Sequence, residues 1–161
     1  MDFSLTEEQL RWREVARDFA LQVIKPDVLR RDRLPTAAER IPWDWIRQAD
    51  GLGLRTLGVP KAWGGAGADI LTLCLAGEEL GAGDLGFAVI MDQCWKMAHI
   101  LADAMTPAQQ KRFIPPFIAD PEATLAIGSP RPARVPITRA ITILPTSISA
   151  PRRSAKAIPM S

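Results

Sequence analysis

Apolar residues recur at helical spacing from the start of the chain. Leu10, Val15, Phe19, Val23 and Ile24 follow Thr6, a capping hydroxyl with Gln9 three places on as its capping-box partner. Pro26 is expected to end or kink this helix, because it has no N–H to donate. Residues 26–41, PDVLRRDRLPTAAERI, read as a long polar connection whose charges are solvated. Pro42 predicts the opening of a second helix, with Trp43, Ile46 and Ala49 on one face and Gly51 just past its end. LGVPKAWGGAGAD is turn-forming. No Gly-Lys-Ser/Thr follows its glycines, so it reads as a tight loop and not as a phosphate cradle.

Asp69 is placed to cap a third helix with Leu73, Gly77 and Leu80 on one stripe. A fourth helix, from about Leu85 to Met105, is apolar on most sides (Val89, Ile90, Met91, Trp95, Met97, Ile100, Leu101), the pattern of a buried or interface helix. Thr106, Pro107 and Gln109 cap a fifth, TPAQQKRF, which IPPF is expected to terminate. TLAIGS, residues 124–129, is the first strand-like run. The expected fold class is therefore all-α, a helical bundle over residues 1–122. One strand starts at 123–129, in a β region that goes no further.

Charge sharpens that boundary. Residues 1–122 hold all 18 acids and 14 of the 20 basic residues, a net −4, whereas 123–161 hold six basic residues and no acid. Every Trp and Phe lies at or before Phe117, and six of the 14 prolines fall after Ser129. The segment SPRPARVPITRAITILP does not continue the pattern of the body, and its prolines disfavour a regular helix. No apolar run is long enough to span a membrane, and the acidic start is unlike a signal peptide. A soluble, cytoplasmic protein is therefore expected.

Candidate chemistry is sparse. Glu78 and Glu79 are adjacent, and neighbouring helical residues point about 100° apart, so they make no facing pair. His99 is the only histidine and lacks partners at metal-ligand spacing. Cys74 and Cys94 sit in apolar contexts and read as buried reduced thiols.

Several ordered pieces resemble the acyl-CoA dehydrogenase family over about residues 3–129. They are FSLTEEQ; Ala16, Arg17, Phe19, Ala20, Ile24 and Pro26; GLGL with VPKAWGGAG; EEL at 78–80; QQKRFIPPF; and LAIGS. The resemblance is to the N-terminal helical domain. It implies FAD-dependent α,β-desaturation of an acyl-CoA thioester, an electron-transfer flavoprotein as partner, and a homo-oligomer for the intact protein. It further implies that Ile127 and Ser129, on the family strand whose end touches the flavin, bind cofactor. His99 is placed on the helix that helps wall the acyl pocket, as a substrate contact. The family's glutamate base lies in a C-terminal domain, and no catalytic residue or metal ligand is assigned here.

Where the family carries Thr-Glu-Pro-x-x-Gly-Ser-Asp after that strand, this chain reads SPRPARVPIT. Reading from the last base of each codon permits each of those six family residues in register. Residues 130–161 are therefore expected to be a disordered, out-of-frame tail, and the chain a fragment without activity of its own. Two other readings compete. One is a helical module whose basic arm binds nucleic acid or another polyanion, without sequence specificity. The other is a subunit that assembles with separate flavoprotein chains.

Overall fold

The computed structural model describes residues 4–128 and 140–144. The bundle begins with α1 (Glu7–Phe19), capped by the expected reciprocal box: Gln9 N–H donates to Thr6 Oγ1 and Thr6 N–H to Gln9 Oε1. The helix does not stop at Pro26. It widens into a π-turn (Ala20–Ile24), where Lys25 N–H reaches back to the Ala20 carbonyl, and continues as α2 (Lys25–Asp32). Pro26 thus falls in the first turn of α2, where a missing N–H costs least. The buried face of α1 is Gln9, Trp12, Ala16 and Phe19; Leu10, expected inside, is 38% exposed.

The span read as a polar connection is largely helical, comprising α2 and the short α3 (Ala37–Arg40). Its charges are not all solvated. Arg31 is buried, donates to Asp27 and Asp44 at 2.8–2.9 Å, and lies 4.6 Å from the Trp45 ring centroid. Helix α4 (Trp43–Gly51) buries Trp45, Ile46 and Ala49, while Trp43 is only partly covered. The left-handed position past its end is Gly53, at φ +79°, not Gly51. The glycine-rich stretch is a tight loop holding a short 3₁₀ turn (Lys61–Trp63). Gly67 and Ala68 N–H groups donate to Val59 and Leu57 carbonyls, so the loop spends its donors on itself.

Asp69 caps α5 (Ile70–Gly83), whose buried stripe is Thr72, Ala76 and Leu80. Leu73 and Gly77 sit half-buried beside that stripe. Asp84 caps α6 (Leu85–Ala104) through the Phe87 N–H. Helix α7 (Pro107–Ala119) opens on the expected Thr106–Gln109 box but runs through IPPF. Pro115 and Pro116 are exposed, so water can reach the carbonyls their rings leave unbonded. Ile114 and Phe117 anchor the turn from the buried side.

The core has two parts. One gathers α1, α4, α5 and the first half of α6 around Phe19, Trp45, Phe87 and Trp95. The other joins Cys94, Met97 and Leu101 of α6 to Ile114, Phe117 and Leu125. Over it lies β1 (Thr124–Gly128), paired antiparallel with β2 (Ala140–Leu144) from Thr124↔Leu144 to Gly128↔Ala140. The second strand departs from the expectation that the β region stops at one. AITIL is a β-branched, apolar run suited to that pairing. The remaining residues of the 130–161 tail lie outside the described residues.

Candidate functional site

Helices α5 and α6 are both wound from small and apolar residues, and they leave a groove of about 1110 Å³ between their outer faces. Asp69 and Asp84 fix the two helix starts through side-chain caps. Ile70, Cys74 and Gly77 line the α5 side; Leu85, Val89, Gln93 and His99 line the α6 side; Ala126 of β1 also lines it. Ile70 and Leu85 are 74% and 72% exposed, so the groove is apolar and open. Trp95 stands beneath it with Nε1 donating to the Leu54 carbonyl at 2.7 Å.

His99 lies in this groove, and its Nε2 is buried with no hydrogen-bond partner. Burying a polar nitrogen unpaired costs free energy, and the described residues offer this atom no partner. Ile127 follows Ala126 in β1 and is paired with Ile141 in register. Ser129 lies outside the described residues. Of β1, Ala126 lines the groove together with His99.

The ionic groups of the groove are Asp92, Lys96 and Asp103, with Lys96 paired to Asp92 at 2.6 Å. Among the described residues no cluster of His, Cys, Asp and Glu could hold a metal ion, and no helix is long and apolar enough to cross a membrane. Glu79 is structural: Arg17 of α1 holds it at 2.6 Å and keeps its carboxyl below the usual range. Cys94 is buried as expected, and desolvation pushes its thiol up. Cys74 is not buried; it is exposed in the groove wall, because its position on α5 falls beside the packed stripe.

Sequence reasoning missed Cys74, Asp92, Lys96 and Ala126 as groove residues. The spacing 85, 89, 92, 96, 99, 103 along α6, alternating four and three, was the available signal.

A family model described as acyl-CoA dehydrogenase, N-terminal domain, matches residues 6–120. The chain is 30% identical over 119 residues to a short-chain-specific acyl-CoA dehydrogenase of Clostridium acetobutylicum, covering 73% of this chain and 30% of that protein. Its fold is like that of a nitroalkane oxidase mutant crystallized with 1-nitrohexane (TM-score 0.71, 23% identity, 80% of this chain and 31% of that one). It is also like butyryl-CoA dehydrogenase from Megasphaera elsdenii (TM-score 0.65, 19% identity, 89% of this chain and 50% of that one). The chain spans about a third of the length of the curated relatives it matches. With the domain match running from the α1 cap to the end of α7, the chain belongs to the acyl-CoA dehydrogenase family and carries its N-terminal helical domain.

Proposed function

We propose that this chain supplies the N-terminal wall of an FAD-dependent acyl-CoA dehydrogenase of cytoplasmic fatty acid metabolism, and that it is inactive alone. The observation that carries this reading is the open apolar groove beside β1, with the unpartnered Nε2 of His99 in its wall. Such a groove suits the hydrocarbon of an acyl thioester and a contact near its polar end. Positioning of this kind supplies much of an enzyme's rate. An electron-transfer flavoprotein is the proposed electron acceptor of the completed enzyme, and a homo-oligomer its proposed state.

FAD, the cofactor that family membership implies, is not fitted by the described residues on their own. A dinucleotide needs cations or free backbone N–H groups at its pyrophosphate. The groove offers two carboxylates and one lysine already ion-paired, and the glycine loop's donors are engaged. The proposed contribution of this chain to flavin binding is confined to the strand end, Ile127 and Ser129. Flavin, when bound in the completed enzyme, supplies the hydride acceptor.

The family loop is proposed to be encoded one base out of frame after codon 129. One pair of positions conflicts. Glu needs an AGA or AGG codon at Arg131, which starts the next codon with A or G, whereas Pro needs C there. The reframed loop can therefore hold at most one of these two family residues, while Thr, Gly, Ser and Asp all stay permitted. Expressing the gene shifted by one nucleotide after codon 129 tests the reading. A yellow protein that oxidises an acyl-CoA is expected; an early stop, or a long frame without the Gly-Ser-Asp loop, would overturn it.

A further inference from the structure

The connection from α7 to β1 is held by a residue of neither element. Arg55 lies just past α4 and is fully buried. Its Nη1 donates to the Phe117 carbonyl at 2.9 Å and to the Ala123 carbonyl at 3.0 Å, and its Nη2 reaches the Ile118 carbonyl at 3.4 Å. Phe117 and Ile118 belong to the last turn of α7, whose carbonyls have no partner within the helix. Ala123 directly precedes β1. One planar cation therefore bonds both ends of the turn, and Asp50 of α4 anchors it at 2.9 Å. The ion pair of Arg47 with Glu122 also touches this turn, but the Arg47 side chain is half exposed and such pairs are weak. Two residues beyond Ala123, the Leu125 backbone meets the buried Cys94 thiol of α6, and Ala126 then lines the groove.

We infer that Arg55 is the positioning residue of β1: by tying Ala123 to the end of α7 it sets where the strand starts along α6, and so where Ala126 and the residues after it stand. Burial of Ala123 and Leu125 stabilises the strand but is non-directional, so it does not fix that place. Hydrogen bonds to three carbonyls are directional, and they do. Arginine suits this task because its fork is flat and carries several donors in fixed directions. The consequence for flavin rests on the reading above, in which Ile127 and Ser129 of the same strand end make the contact. There a misplacement of about 1 Å is enough to slow a reaction. The placement of β1 by Arg55 does not depend on that reading, so the two fail separately.

A nitroxide on the exposed Cys74 of the full chain tests it, because the label sits in the groove wall and broadens backbone amide signals steeply with proximity. Arg55→Lys keeps the charge but cannot span both ends of the turn, so it is expected to change the broadening of the Leu125 and Ala126 amides by about twofold. The Val89 and Gln93 amides of α6 are expected to keep theirs. Arg47→Ala, which cuts the exposed pair on the same turn, is expected to leave all four as they are. A loss of stability alone moves none of these signals, since they are read on folded molecules. If Arg55→Lys does not fold, Asp50→Asn, which weakens the anchor and keeps the arginine, is read in its place and is expected to move the same two amides. Unchanged broadening at Leu125 and Ala126 in the folded variant would overturn the inference, and so would an equal change in Arg47→Ala.

Discussion

Arg55 donates from Nη1 to the Phe117 carbonyl at 2.9 Å and lays its guanidinium 4.4 Å from the centroid of that residue's own ring. Arg55 is fully buried, and it also donates to the Ala123 carbonyl at 3.0 Å and to Asp50 at 2.9 Å. One side chain thereby joins the end of α4 to the turn between α7 and β1. Arg55→Leu strands two buried carbonyls and a carboxylate, which is expected to cost about 3–5 kcal/mol. Arg55→Lys is expected to recover only part of this, because an ammonium cannot copy the planar fork. Urea unfolding followed by tryptophan fluorescence measures both.

Asp69 ties two helices together. Its Oδ1 accepts from the Thr72 hydroxyl and N–H at 2.6 and 2.7 Å, and its Oδ2 from Gln9 Nε2 at 3.2 Å. These donors, the Thr72 hydroxyl foremost, hold its carboxyl below the ordinary range. Arg30 does the same for Asp27, and Arg17 for Glu79. A carboxyl lowered by folding stabilises the protein above its unfolded pKa and loses that contribution as pH falls through its folded pKa. Urea midpoints are therefore expected to stay level from neutral pH to about 5 and to drop below about 4. Asp69→Ala is expected to cost about 1 kcal/mol at neutral pH, while Asp69→Asn keeps most of the cap and flattens the acid limb.

Gly65 has no room for a side chain. A Cβ at that position would stand 2.2 Å from the Val59 carbonyl oxygen and 2.4 Å from its Cβ, both fixed by the loop's own hydrogen bonds. Gly65→Ala is expected to destabilise by about 1–3 kcal/mol. Gly64→Ala meets nothing within 4 Å but must adopt φ +93°, so its cost is purely conformational. Thermal melts of the two variants separate crowding from backbone strain.

The two thiols should react at very different rates. Cys74 is exposed in the groove, whereas Cys94 is buried against Leu125 and desolvation keeps it protonated. A thiol reagent at neutral pH is expected to titrate one cysteine in the folded chain and two in denaturant. Cys74→Ser should abolish the fast phase and leave the second untouched.

Helix starts were legible because caps are local: Thr6, Asp69 and Thr106 each bond a backbone N–H three residues on. Helix ends were less so. Pro26 and the Pro115–Pro116 pair signal breaks, yet a π-turn in one case and solvent exposure in the other let the helices pass. Arg31, among the charges of 26–41, reads as solvated, since burial of its guanidinium depends on a partner 13 residues away; nothing in the sequence singles out Arg55, whose carbonyl partner lies 62 residues away. In the groove, His99 was visible as the one histidine in an apolar helix. Cys74 and Ala126 were not, because what places them there is the packing of α5 and β1 on α6.

Flavin content of the purified full chain, read from its visible absorbance beside dye-coupled oxidation of acyl-CoA substrates, reaches the centre of the account. Negligible FAD and no turnover are expected if, as proposed, this domain supplies a single wall of the reaction chamber. One FAD per chain together with turnover would contradict it.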